Sequence, residues 1–244
     1  MKRYITLAAT AALFLAAQAQ KQPYEDLLVK FVDEKYEDCL AKADMYVQRE
    51  STKKDALPYL YMSMCYYEMS KIEKYTAMEE YKKADKEALK WAEKYRKKDK
   101  NKEYFDNYAD FWSELNTQAQ DKGLQFYDEG AKGMSKAKQT FDAMTGYYPE
   151  NPGAWLMLGL TQLKTNLVKE GEISLTKFRE ALDAAGGVAN LPEDQKKLMG
   201  ASLIKYAEHL DSKGDSSGAK AAIALGADAL KDDPEFKVAI QTYN

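Results

Sequence analysis

Residues 137 to 162 constrain the fold of this chain more than any other stretch. Ala137, Phe141, Met144 and Pro149 stand at offsets 0, 4, 7 and 12, and six residues past the proline comes Trp155-Leu156-Met157-Leu158-Gly159. The first three offsets place Ala137, Phe141 and Met144 on one stripe of a helix. Pro149 and Pro152 bracket Glu150-Asn151, a stop followed by a restart, with Asn151 as N-cap and Pro152 at the first helical position. Gly159 follows Trp155 by about one turn, and a position without a side chain lets an antiparallel helix approach closely.

This pattern resembles the tetratricopeptide repeat, written W-x2-L-G-x2-Y, then A-x3-F, then P, with a period of about 34 residues. The end of one unit (Ala137, Phe141, Pro149) runs into the start of the next (Trp155, Leu158, Gly159) in the expected register. Gln162 stands where the repeat has Tyr. The second helix of that unit carries Ser174, Phe178 and Ala181 at offsets 0, 4 and 7, with extra residues placed in an enlarged turn within 164–172. Near 56–70, Tyr59, Met62, Ser63 and Tyr66 take the places of W, L, G and Y. Ala222, Gly226, Ala229 and Pro234 repeat the 0, 4, 7, 12 register, with Gly in place of Phe.

The resemblance implies an all-α fold: a right-handed α-solenoid of about five helical hairpins with a C-terminal capping helix over 234–243. Periodicity predicts further helices from Pro23 (Leu27, Leu28, Phe31, Val32) and over 34–48, 192–212 and 216–231. It also predicts two long helices, 73–97 and 102–127, the second with Tyr104, Tyr108, Phe111, Trp112 and Leu115 on one stripe. The organisation reads as a leader over 1–19, an N-terminal part over 20–130 that includes both long helices, and a C-terminal part over 131–244. In this family the first helix of each pair lines a concave groove. That implies a partner-binding face of Leu57, Leu60, Met64 and Tyr67, continued by Leu156, Leu160, Leu163 and Lys164. The alternative is that the two long helices cover these residues as ordinary core, and the sequence weighs both about equally.

The leader is read from Lys2 and Arg3, an apolar stretch over 5–17 and Ala17-Gln18-Ala19, an A-x-A cleavage pattern that starts the mature chain at Gln20. The stretch falls short of the about 20 residues of a membrane span. No cysteine follows the cleavage site, so a lipid anchor of the bacterial lipoprotein type is not expected. The ending resembles exported proteins of the Bacteroidota and implies a periplasmic protein, or a secreted one. The formal charge is −3, and −5 without Lys2 and Arg3. That balance argues against nucleic acid as a partner, since phosphate binding needs a basic face.

Catalysis has little to stand on. His209 is the single histidine, and no phosphate loop, dinucleotide fingerprint, zincin or EF-hand spacing is present. No metal, cofactor or catalytic residue is expected, and two cysteines alone make no zinc site. Cys39 and Cys65 lie at similar distances from a turn near Lys53, so an antiparallel hairpin places them at the same height. A disulfide between them is an expectation that export to an oxidising space permits. The function expected is a non-catalytic scaffold or adaptor of an envelope or secretion assembly, holding a protein or peptide in its groove. The alternative is an outer-membrane-associated binder of a small ligand or glycan, with the Tyr/Trp-rich 104–127 stretch as a stacking platform.

Overall fold

The structure, a computed structural model, describes residues 24–243. The expected leader and Pro23 lie outside the described residues. Within them the chain forms twelve α-helices and no strand. They are α1 Glu25–Val32, α2 Tyr36–Gln48, α3 Leu57–Met69, α4 Glu73–Thr76, α5 Ala84–Lys98, α6 Ala109–Asp128, α7 Met134–Tyr147, α8 Pro152–Lys164, α9 Val168–Ala184, α10 Glu193–Ser212, α11 Ser216–Ala224 and α12 Pro234–Tyr243. Packing follows chain order. α3 lies against α2 and α5, α5 against α7, and α7 against α6 and α8. α8 lies against α9 and α10, and α12 closes on α11 and α10.

Two helices sit at the centre of this arrangement. Eleven of the thirteen residues of α3 are buried, and nine of the thirteen of α8. Both are apolar nearly all round, as a helix surrounded by others must be. Each meets its next partner at a small residue. Ser63 of α3 is fully buried and donates its hydroxyl to the Ala88 carbonyl of α5 at 2.7 Å. On α8, a Cβ added at Gly159 would lie 3.1 Å from Leu175 of α9 and 3.3 Å from the Gly171 carbonyl. Asn151 caps α8 by accepting from the Ala154 amide at 3.2 Å, and Trp155 donates its indole N–H to the Pro149 carbonyl at 2.7 Å. Phe141 of α7 is fully buried against Gly123 of α6.

Four elements differ from the sequence expectation. The 73–97 helix breaks after α4, and turns bring Tyr75 and Tyr81 together edge to face, 5.8 Å apart, in the core beside α2 and α3. Two buried tyrosines outweigh about two turns of helix at an apolar gain of roughly 1.5–3 kcal/mol per large side chain. The 102–127 helix begins only at Ala109, after a short 3-10 turn over Phe105–Tyr108. Asp99 holds the preceding loop, accepting from the amides of Glu103 at 2.7 Å and Tyr104 at 3.1 Å. The turn between α8 and α9 spans only 165–167, so the extra residues there lengthen the helices and not the turn. α11 ends at Ala224, because the chain must bend where Gly226 meets Phe236 and Leu203; a Cβ there would fall 2.8 and 2.9 Å from those side chains.

Candidate functional site

The expected groove residues are not on an open face. Leu57, Leu60, Met64, Tyr67, Leu156 and Leu160 are all buried. Leu160 shares a core with Leu115 and Ala119 of α6, and Leu156 with Met199 and Leu203 of α10. The Tyr67 ring meets Phe111 edge to face at 5.7 Å, and its hydroxyl donates to Glu114 at 3.0 Å. Only Leu163, half-buried, and Lys164, exposed, reach the surface.

The cover over α8 is a seam between α6 and α10. Asn116 donates to Asp194 at 2.9 Å, Lys197 pairs with Asp121 at 3.2 Å, and Lys205 pairs with Asp128. These rungs advance in the same direction along both helices. The seam ends where Lys164 and Lys205 lie 4.7 and 5.1 Å from the Tyr127 ring centroid. Exposed pairs of this kind contribute only about 0–1 kcal/mol each, so the buried apolar layer holds the closure and the charges set its register. The covering helix is α6, one of the two long segments that the sequence left as the alternative.

The centre of the aromatic stretch 104–127 is turned inward as well, while Tyr104, Tyr108, Phe111 and Phe126 are half-buried. Trp112 is 1% exposed, stacked on Phe105 at 4.8 Å and on Tyr95 at 5.3 Å. Its faces are therefore occupied by neighbouring rings and are not open to a sugar. Beside this stack, Asp106, Asp110, Glu193 and Asp194 line a pocket of about 300 Å³. Burial raises the Asp194 carboxyl above its ordinary range, opposed by the hydrogen bond from Asn116. Asp110, Glu193 and Asp194 belong to the first turns of α6 and α10, where the helix dipole favours carboxylates without any ligand.

Little chemistry is assembled elsewhere. His209 is half-buried, and desolvation, then Lys213 and Lys164, hold its imidazole below the ordinary value, so it is neutral at pH 7. Among the described residues no group of three His, Cys, Asp or Glu side chains is placed to share a metal ion. Cys39 and Cys65 face each other between α2 and α3, both fully buried and both free thiols. Cys39 donates instead to the Leu27 carbonyl at 3.6 Å, so no bridge joins the pair in this structure. Burial pushes the Cys65 thiol far up, with the neighbouring Cys39 adding to it.

Open apolar surface lies elsewhere. α9 and α11 flank a cleft of about 450 Å³ floored by α10. Leu182, Tyr206, Leu210 and Leu225 supply its apolar wall and floor, with Arg179 and Asp183 on the rim. Leu225 is 49% exposed. Sequence reasoning missed this cleft. The available signal was the pairing of Phe178 with Leu182 and of Tyr206 with Leu210, each four apart on one helix face.

No protein-family model, curated protein or solved structure matches the chain. Among the described residues no helix is long and apolar enough to cross a membrane.

Proposed function

We propose that this chain is a tetratricopeptide-like right-handed solenoid that serves as a non-catalytic scaffold in the bacterial cell envelope. Its units are the pairs α3/α5, α6/α7, α8/α9 and α10/α11, with α12 as the terminal cap and α1/α2 as the opposite end. Nested pairs need such end pieces, because a terminal unit has no neighbour to cover its apolar face. Partner binding uses the outer cleft between α9 and α11, since the inner face is filled by α6 and α10. The observation that carries this reading is the cleft itself: an open apolar floor with a half-exposed leucine at its edge. Apolar surface left uncovered in a concavity of this size marks a contact site for a protein or peptide.

The test is retention of a partner from envelope extract on immobilised protein, with Leu225→Asp as the paired variant. Leu225 is exposed enough that the charge is tolerated in the free protein, whereas it blocks an apolar contact. A stoichiometric partner retained by the parent and lost by Leu225→Asp is the expected result. No partner, combined with a glycan-dependent rise in melting temperature, would instead favour the small-ligand or glycan reading.

A further inference from the structure

A second cleft lies between α5 and α7, separate from the first. Leu89 of α5, Phe126 of α6 and Ala143 of α7 give it an apolar floor, and its volume is about 180 Å³. The two clefts are related in construction. α6 and α10 are both 20 residues long, and the eighteenth residue of each, Phe126 and Leu210, contributes to the floor between the flanking helices. Their rims differ in charge. Here Lys86 and Lys90 from α5 and Lys136 from α7 converge. Neither Lys86 nor Lys136 has an ion-pair partner among the described residues, and Lys90 pairs only with Glu87 on its own helix, at 2.8 Å. The single carboxylate of the lining, Glu93, is engaged by Lys97 at 2.6 Å. The Lys136 ammonium lies 5.2 Å from the Phe126 ring centroid, so cation and apolar floor belong to one recess.

We propose that this lysine-rimmed cleft docks an acidic segment of a partner protein, through one apolar side chain seated on Phe126 and flanking carboxylates paired with Lys86, Lys90 and Lys136. The inference rests on the scaffold reading. Size selects the mode: the recess is smaller than the roughly 300 Å³ at which small-molecule sites begin, so it suits one side chain. Charge selects the sequence around that side chain, because carboxylates would relieve three cations that now crowd one rim. Charge also argues for a peptide over an anionic bilayer. The chain is net negative, at −3, so a large flat anionic surface is repelled by the whole molecule. A short acidic segment feels mainly the three lysines, within a screening length of about 8 Å at physiological salt.

The test is fluorescence anisotropy with a fluorescein-labelled peptide of one leucine flanked on each side by two glutamates. The parent protein is expected to bind it saturably, more weakly as salt rises. The double variant Lys86→Glu/Lys136→Glu is expected to bind at least about tenfold more weakly, since it sets like charges opposite each other. Both lysines are exposed, so the variant should keep the parent's circular dichroism and melting. Lys86→Gln/Lys136→Gln, with an intermediate loss, covers the case that it does not. Equal binding by parent and double variant, or no binding by the parent, overturns the cleft. Undiminished binding of a peptide with glycine for leucine overturns the apolar anchor. Phosphatidylglycerol vesicles bound by the parent and not by the double variant, with the peptide unbound, overturn the proposal in favour of a membrane surface. Because Leu225 lies in the other cleft, loss of peptide binding with retained Leu225-dependent partner capture separates failure here from failure of the scaffold reading.

Discussion

Replacing Gly159 tests the packing at the centre of the molecule. A Cβ at this position already sits 3.1 Å from Leu175 Cγ and Cδ2, which can turn aside, and 3.3 Å from the Gly171 carbonyl, which cannot. Gly171 is hemmed in the same way, since its own Cβ would lie 2.8 Å from Leu163. Gly159→Ala gains about 1 kcal/mol of helix propensity and needs a shift of a few tenths of an ångström, so it should be close to neutral. Gly159→Leu gains nearly the same propensity but adds three more carbons where two backbones cross. Overpacking of that kind costs roughly 1–3 kcal/mol, here at the upper end because backbone opposes it, for a net loss of about 2 kcal/mol. In a chain of this size that lowers the melting temperature by roughly 4–8 °C. Thermal denaturation followed by circular dichroism at 222 nm reads it, with the exposed Ala184→Leu as a control expected to stay within about 0.5 kcal/mol of the parent. A Gly159→Leu protein that melts with the parent would mean that α8 and α9 do not cross at this residue.

Three further outcomes follow from the same geometry. Asn116→Ala removes the acceptor of the fully buried Tyr147 hydroxyl, 2.7 Å away, and one donor to Asp194, so urea denaturation should show a loss of about 1–3 kcal/mol; adding Tyr147→Phe should recover part of it, and no recovery would refute the coupling. His209 is held below its ordinary value in the fold, so its contribution is present above about pH 6.5 and is lost as pH falls through the lower folded value. The parent should therefore lose more stability than His209→Gln between pH 7 and 5, and parallel curves would contradict that sign. The buried thiols of Cys39 and Cys65 should resist iodoacetamide in the native protein and take two adducts once unfolded in urea without reductant. Rapid native labelling would mean that α1 and α2 open over α3, and no labelling in urea would mean that a bridge has formed.

Local signals carried the fold well wherever one residue's chemistry decided the outcome. Asn151 and Pro152 start α8, Gly186-Gly187 ends the region of α9, and Ser63 and Gly159 stand where helices come close. The break at 77–83 and the late start of α6 at Ala109 were hidden, because each depends on contacts that helical periodicity does not record. Tyr81 leaves the helix to join Tyr75 of α4 in the core beside α2 and α3, and the Asp99 carboxylate ties down the Glu103 and Tyr104 amides ahead of the turn over 105–108. Which of the two readings of the groove holds, open or covered, was hidden for a related reason. Leu156 and Leu160 have the spacing of an exposed lining, but whether they are covered depends on Asn116 meeting Asp194 and Asp121 meeting Lys197, contacts more than seventy residues apart in sequence. Each cleft lies between helices separated by a third, α5 and α7 or α9 and α11, and single-helix periodicity carries no record of how far those helices stand apart.

Thiol labelling of single cysteines tests most directly the claim that the inner face is closed and the outer face open. In a protein with Cys39→Ala and Cys65→Ala, one cysteine is placed at Leu160, under the α6–α10 cover, and in a second protein at Leu225, on the rim of the outer cleft. The Leu225→Cys protein should react with a maleimide about as fast as a free thiol, whereas the Leu160→Cys protein should react only at the rate of unfolding. Equal, rapid labelling at both positions would contradict the account and restore an open inner groove.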